Sequence, residues 1–85
     1  MDTQIMDRQP MRLSELETGG RGRVVKVEAD SLIRRRLMEM GITRGEALFV
    51  DKVAPLGDPM ELVVRGYHLS LRREESACIR IEREL

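Results

Sequence analysis

Residues 30–45 read DSLIRRRLMEMGITRG, a short helix with a start signal at one end and a stop signal at the other. Asp30 or Ser31 can lend a side-chain oxygen to the unpaired amides of a first helical turn. Ile33, Leu37 and Met40 then recur at the spacing of one helical face, with Leu32 and the aliphatic stem of Arg36 alongside. Arg34, Arg35, Met38 and Glu39 point elsewhere, so one face is apolar and the other mostly charged. Gly41 stands where a helix is left through a positive φ, and a Schellman ending there brings Ile42 against Leu37. The expected helix covers about 31–40. Gly45 supplies a turn before the apolar run Ala47 to Val50, so the helix hands over directly to a strand.

Outward from this stretch the chain reads as strand and turn. Upstream, Thr18, Gly19, Gly20 and Gly22 precede a β-branched run, Val24, Val25 and Val27. These glycines are not a phosphate loop, because the lysine and hydroxyl of that pattern and the helix directly after it are missing. Downstream, Ala47 to Val53 is a second strand, and Pro55, Leu56, Gly57, Asp58 and Pro59 form a loop. Met60, Leu62 and Val64 alternate with Glu61, Val63 and Arg65, and Gly66 turns the chain into Tyr67, Leu69 and Leu71. After the charged connection Arg73 to Ser76, Ala77, Ile79 and Ile81 face in. The fold class is mainly β, with about five or six strands and the one helix. Pairing Leu71 with Ile79 and Leu69 with Ile81 keeps both apolar sets inside, and sets His68 opposite Glu82, Ser70 opposite Arg80 and Arg72 opposite Cys78.

Composition sets the limits. At 85 residues the chain makes one domain with a small core, expected over 11–85, after a polar leader, 1–10, that reads as disordered. Hydrophobic residues are 41% of the chain but aromatics only 2%, so the core is aliphatic and suits a compact barrel or sandwich. Lys plus Arg and Asp plus Glu both number 15, which removes the overall field that draws nucleic acid or an anionic membrane. Cys78 stands alone and forms no internal disulfide. No apolar signal segment or bilayer-length run is present in the sequence, and a cytoplasmic protein without membrane insertion is expected.

No catalytic constellation is legible: no nucleophile has its base, and the carboxylates lack the apolar setting of a general acid. The protein is expected not to be an enzyme. His68, with Glu82 across the expected ladder, offers two ligands, whereas zinc and ferrous sites take three or four donors. No cofactor is therefore expected, and His68 and Glu82 stand only as weak candidates for a divalent metal. Arg34, Arg35 and Arg36, with Arg21, Arg23 and Arg44 nearby in sequence, are the strongest charge feature. They read as a solvated face or as a docking face for an acidic partner. RNA is the weaker partner class, since small barrels that read single strands add aromatic stacking platforms and only Phe49 and Tyr67 are on offer. Met38 on the exposed side of the helix and Leu56 at the loop tip are the apolar candidates beside the arginines, as at an interface centre. The partner-binding set is Arg34, Arg35, Met38, Glu39 and Leu56.

These residues together resemble the ferrous iron transport protein A family, FeoA. The resemblance runs from about Met11 to Arg83. It comprises Leu13 and Leu16 before a glycine turn, a valine strand, then Arg36, Leu37, Met38, Glu39, Met40, Gly41, Ile42 and Gly45. Gly57, Asp58 and Pro59 follow, and last Leu69, Leu71, Arg72, Arg73, Glu75 and Ala77 before Ile79 and Ile81. It implies a small SH3-like β-barrel with one inserted helix. The implied role is that of a non-enzymatic accessory to the ferrous iron transporter FeoB, docking on its cytoplasmic GTP-binding part. Iron- and manganese-dependent repressors carry a similar C-terminal domain, so a metal-responsive domain is the alternative, with a small RNA-binding barrel behind it. An exposed edge strand can also pair two copies.

Overall fold

The helix forms where the caps set it. In the computed structural model, which describes residues 10–84, α1 runs Ser31–Glu39. The Asp30 carboxylate accepts from the Ile33 amide at 3.0 Å, taking up one of the orphan donors of the first turn. At the exit the Ile42 amide donates to the Leu37 carbonyl and the Gly41 amide to the Met38 carbonyl, both at 2.9 Å, with Gly41 at φ +92°. Those are the two bonds of a Schellman motif. Leu37 and Ile42 are fully buried, so exit geometry and packing fix the same arrangement. Leu32, expected beside the apolar face, is instead 74% exposed. The helix rests on a single narrow stripe of Ile33, Leu37 and Met40, and a residue about 100° round the axis from that stripe misses the core.

Among the described residues six strands make one antiparallel sheet: β1 (Met11–Arg12), β2 (Arg21–Val27), β3 (Ala47–Val53), β4 (Met60–Val64), β5 (Tyr67–Leu71) and β6 (Ile79–Glu84). Their order across it is β1-β6-β2-β3-β4-β5. Inward-facing Val24, Leu48, Val50, Met60, Leu62, Val64, Leu71, Ile79 and Ile81 join Leu13, Leu16, Leu37 and Ile42 in one buried cluster. A six-stranded sheet whose distant strands feed one core must curl around it. Bulges assist, because the pairing shifts by one residue between Val24 and Lys26 and between Val50 and Lys52, and an extra residue increases local bend and twist. Close approach does the rest at Gly22, where a Cβ would stand 2.7 Å from the buried Ile81 Cδ1.

The β4–β5 hairpin turns on Arg65 and Gly66, both with positive φ, as a two-residue turn that matches strand twist requires. Its register pairs Leu62 with Leu69 and Met60 with Leu71. The expected pairing of the last two strands is not formed. β5 pairs with β4, and β6 runs between β1 and β2, with Ile81 opposite Val24 and Met11. The reason lies in Arg73–Ser76, expected as a simple connection, which forms a helical turn, α2. Glu75 caps that turn, accepting from the Arg72 amide at 2.8 Å, and the turn carries the chain away from β5. His68 thus lies opposite Val63, and Glu82 opposite Arg23, with three strands between them in the sheet. The expected disordered leader, apart from exposed Pro10, falls outside the described residues.

Candidate functional site

The bulge in β2 and the exit of α1 together build a groove. Adjacent valines cannot both face the core of a regular strand, and the register shift makes Val25 the unpaired extra residue, half-buried beside the helix. Val25 and Val27 supply apolar surface with the buried Ile42 behind them, and Met38, 56% exposed, stands over it from α1. Lys26, Arg34, Thr43 and Arg44 complete the lining of a cavity of ≈ 580 Å³. Among the described residues its charge is of one sign, since none of their carboxylates lines it.

The cations of this rim differ in how they are held. Arg34 Nη2 donates to the Ala29 carbonyl at 3.1 Å, which fixes its guanidinium over the start of the helix. Lys26 Nζ is 3.8 Å from Glu28, but that carboxylate's shorter bond, 2.9 Å, is to Arg80 Nε. The hydrogen bond from Arg80 is the main reason the Glu28 pKa is lowered from the ordinary carboxylate range. Arg44 forms no side-chain hydrogen bond or ion pair among the described residues.

A second, larger cavity of ≈ 990 Å³ lies between Arg36, Asp58, Ser70, Arg72 and α2. Its lining holds three arginines, Arg36, Arg72 and Arg73, and three carboxylates, Asp58, Glu74 and Glu75, so its charges balance in number. Arg36 Nη2 is 3.3 Å from Glu75 Oε2, a carboxylate almost wholly buried, and the Arg73 amide donates to Asp58 at 3.1 Å. Leu56 lies on this side, in the 3-10 turn Pro55–Gly57, with its carbonyl accepting from Arg73 Nη1 at 3.4 Å. It is 91% exposed with φ +71°. A non-glycine residue in that region carries strain of roughly 1–2 kcal/mol.

Of the residues singled out from sequence, the structure brings Arg34 and Met38 into one groove. Arg35 and Glu39 are exposed on α1 but line neither cavity, and Leu56 belongs to a different surface. Arg21 and Arg23 point away from the groove, Arg21 over the Phe49 ring at 5.5 Å and Arg23 to Glu84 at 3.1 Å. The sequence reading missed Val25, Lys26 and Thr43. The available signal was the Val24–Val25 pair, which breaks the period-two alternation of β2. Among the described residues no three His, Cys, Asp or Glu side chains converge to hold a metal ion. No helix among them is long and apolar enough to cross a membrane.

Comparison with known proteins agrees with this fold. The Fe(2+) transport protein A/Fe(2+) transporter FeoB fusion protein of Porphyromonas gingivalis is 44% identical over 72 residues, 85% of this chain, which spans only 8% of that protein's length. The solution structure of a FeoA-like protein from Clostridium acetobutylicum superposes with a TM-score of 0.84 at 39% identity, over 91% of this chain and 90% of that one. Stenotrophomonas maltophilia FeoA complexed with zinc, described as a prokaryotic SH3 domain protein, gives 0.74 at 31% identity over 84% and 88%. The fold is thus mainly β and SH3-like. A manganese-dependent transcriptional repressor shares that fold at 17% identity, with a TM-score of 0.83 over 91% of this chain and 43% of the repressor. The model of the FeoA domain matches residues 11–83, nearly every residue that builds the sheet, the helix and the groove, and the chain belongs to that family.

Proposed function

We propose that this protein is a non-enzymatic, cytoplasmic accessory of ferrous iron uptake that docks on the cytoplasmic GTP-binding part of the transporter FeoB. The observation that carries this reading is the relative in which protein A and FeoB form one polypeptide, because fusion keeps two domains at high mutual concentration. The docking residues we assign are Arg34 and Met38 at the groove, with Arg35 and Glu39 on the adjoining helix surface and Leu56 as a second contact. Arg34 and Arg35 are exposed, so reversing them to Glu should leave folding intact and act on association. Binding to the soluble cytoplasmic region of FeoB, measured by calorimetry with and without guanine nucleotide, tests this. Saturable binding that the double reversal weakens supports it; no binding in any nucleotide state refutes it.

A further inference from the structure

We propose that the groove between α1 and β2 accepts an acidic segment of the protein partner, an apolar side chain flanked by carboxylates. The inference rests on the docking reading above and specifies what the partner must present. Val25 and Val27 give the slot apolar walls, backed by the buried Ile42, and the Met38 thioether is flexible enough to close over whatever aliphatic side chain enters. At ≈ 580 Å³ the cavity is within the size range of ligand pockets. Around it stand Lys26, Arg34 and Arg44, with no carboxylate of the described residues in the lining. Arg34 and Arg44 have no ion-pair partner among the described residues, and the Lys26 contact to Glu28 is the longer of that carboxylate's two. An arriving carboxylate would form charge-assisted bonds that the chain itself does not supply. Arg34 is already tethered through Nη2 to the Ala29 carbonyl, so less freedom is lost when its other donors are engaged.

A nucleic acid would also answer positive charge, but bases need aromatic faces to stack on. Neither aromatic lines the groove: Phe49 lies under Arg21 and Tyr67 at the end of the β4–β5 hairpin. The walls fit an aliphatic anchor, and the rim fits carboxylates at its sides.

The test uses the full chain and the soluble cytoplasmic region of FeoB. Methyl-labelled protein is titrated with that region, and a diazirine-bearing amino acid at position 38 is photo-cross-linked to it and the product mapped by mass spectrometry. The methyls of Val25, Val27, Met38 and Ile42 should shift. The cross-linked segment should hold Asp or Glu within a few residues of an apolar side chain. Lys26→Glu with Arg44→Glu, and separately Met38→Asp, should each weaken binding about tenfold, roughly the loss of one good interface contact. All three side chains are exposed, and the spectrum of each free variant verifies its fold. Binding with silent groove methyls, or a cross-link to a basic or uncharged segment, overturns the groove assignment and leaves docking standing. Absence of any binding overturns the docking reading and this inference with it. Groove methyls that respond to a single-stranded oligouridylate more tightly than to the transporter region overturn the choice of a peptide.

Discussion

Replacing Gly41 by L-alanine isolates the exit of α1. At φ +92° an ideal L-configured Cβ on this residue meets nothing within 4 Å, so no steric clash enters the L-alanine result. What remains is the backbone penalty for an L-residue in the left-handed region, roughly 1–2 kcal/mol, partly offset by the smaller unfolded-state freedom of alanine, about 0.4–1 kcal/mol. The net loss is about 1 kcal/mol, or a fall in Tm of about 4–8 °C for a domain of this size. D-Alanine inverts the backbone term while keeping the entropic one, so it should stabilise by about 0.4–1 kcal/mol. Both proteins are within reach of chemical synthesis, and scanning calorimetry reads them against the glycine form. Opposite signs for the two enantiomers identify the handed turn as the cause. Equal losses for both, or no change with L-alanine, would refute the reasoning and place the helix exit elsewhere. Gly41→Val should cost more than L-alanine, because a β-branched side chain tolerates this region least.

Leu37→Ala removes the one fully buried side chain of α1, and urea midpoints should report a loss of about 2–5 kcal/mol; a loss below about 1 would mean that the core does not rest on the helix. Leu56→Asn replaces a strained, exposed residue with one that tolerates the left-handed region. Stability should rise by up to about 1 kcal/mol in denaturant titration, while transporter binding weakens if Leu56 is a contact. Because the folded Glu28 pKa is lowered, its contribution to stability is present above the ordinary carboxylate range and is lost as pH falls through the folded value. Carboxyl carbon NMR should find Glu28 titrating below the ordinary carboxylate range, and Arg80→Gln should return it toward that range.

Local signals carried the helix. Asp30, Gly41 and Ile42 act within six residues of the segments they shape, and both caps stand where the sequence put them. Alternation likewise carried β4, with Met60, Leu62 and Val64 inward. Pairing failed where it depended on a long-range choice. Leu71 and Ile79 make a plausible hairpin on alternation alone, but nothing near them reveals that Val24 and Met11 compete for Ile81 and win. In sequence Glu75 reads as part of a charged connection: its cap on the Arg72 amide is local, three residues away, but its contact with Arg36 needs α1 to be in place first. The candidate site divides the same way. Arg34 and Met38 were legible as exposed helix residues, whereas Lys26 and Val25 join them only through a bulge whose position depends on the β6 partner.

The place of β6 between β1 and β2 also bears on how the chain comes to be folded. The strand synthesised last of the six must be inserted between the two made first, and the contact of Arg23 in β2 with Glu84 spans a separation of 61 residues. Until β6 emerges, β2 can pair with β3 alone, and the core lacks Ile79 and Ile81. Between the synthesis of β2 and that of β6, therefore, one edge of a valine-rich strand stays uncovered. Closure of so many distant pairs places folding on the slower side for its size. α1 needs no such wait, because its two caps are complete as soon as Ile42 has left the ribosome.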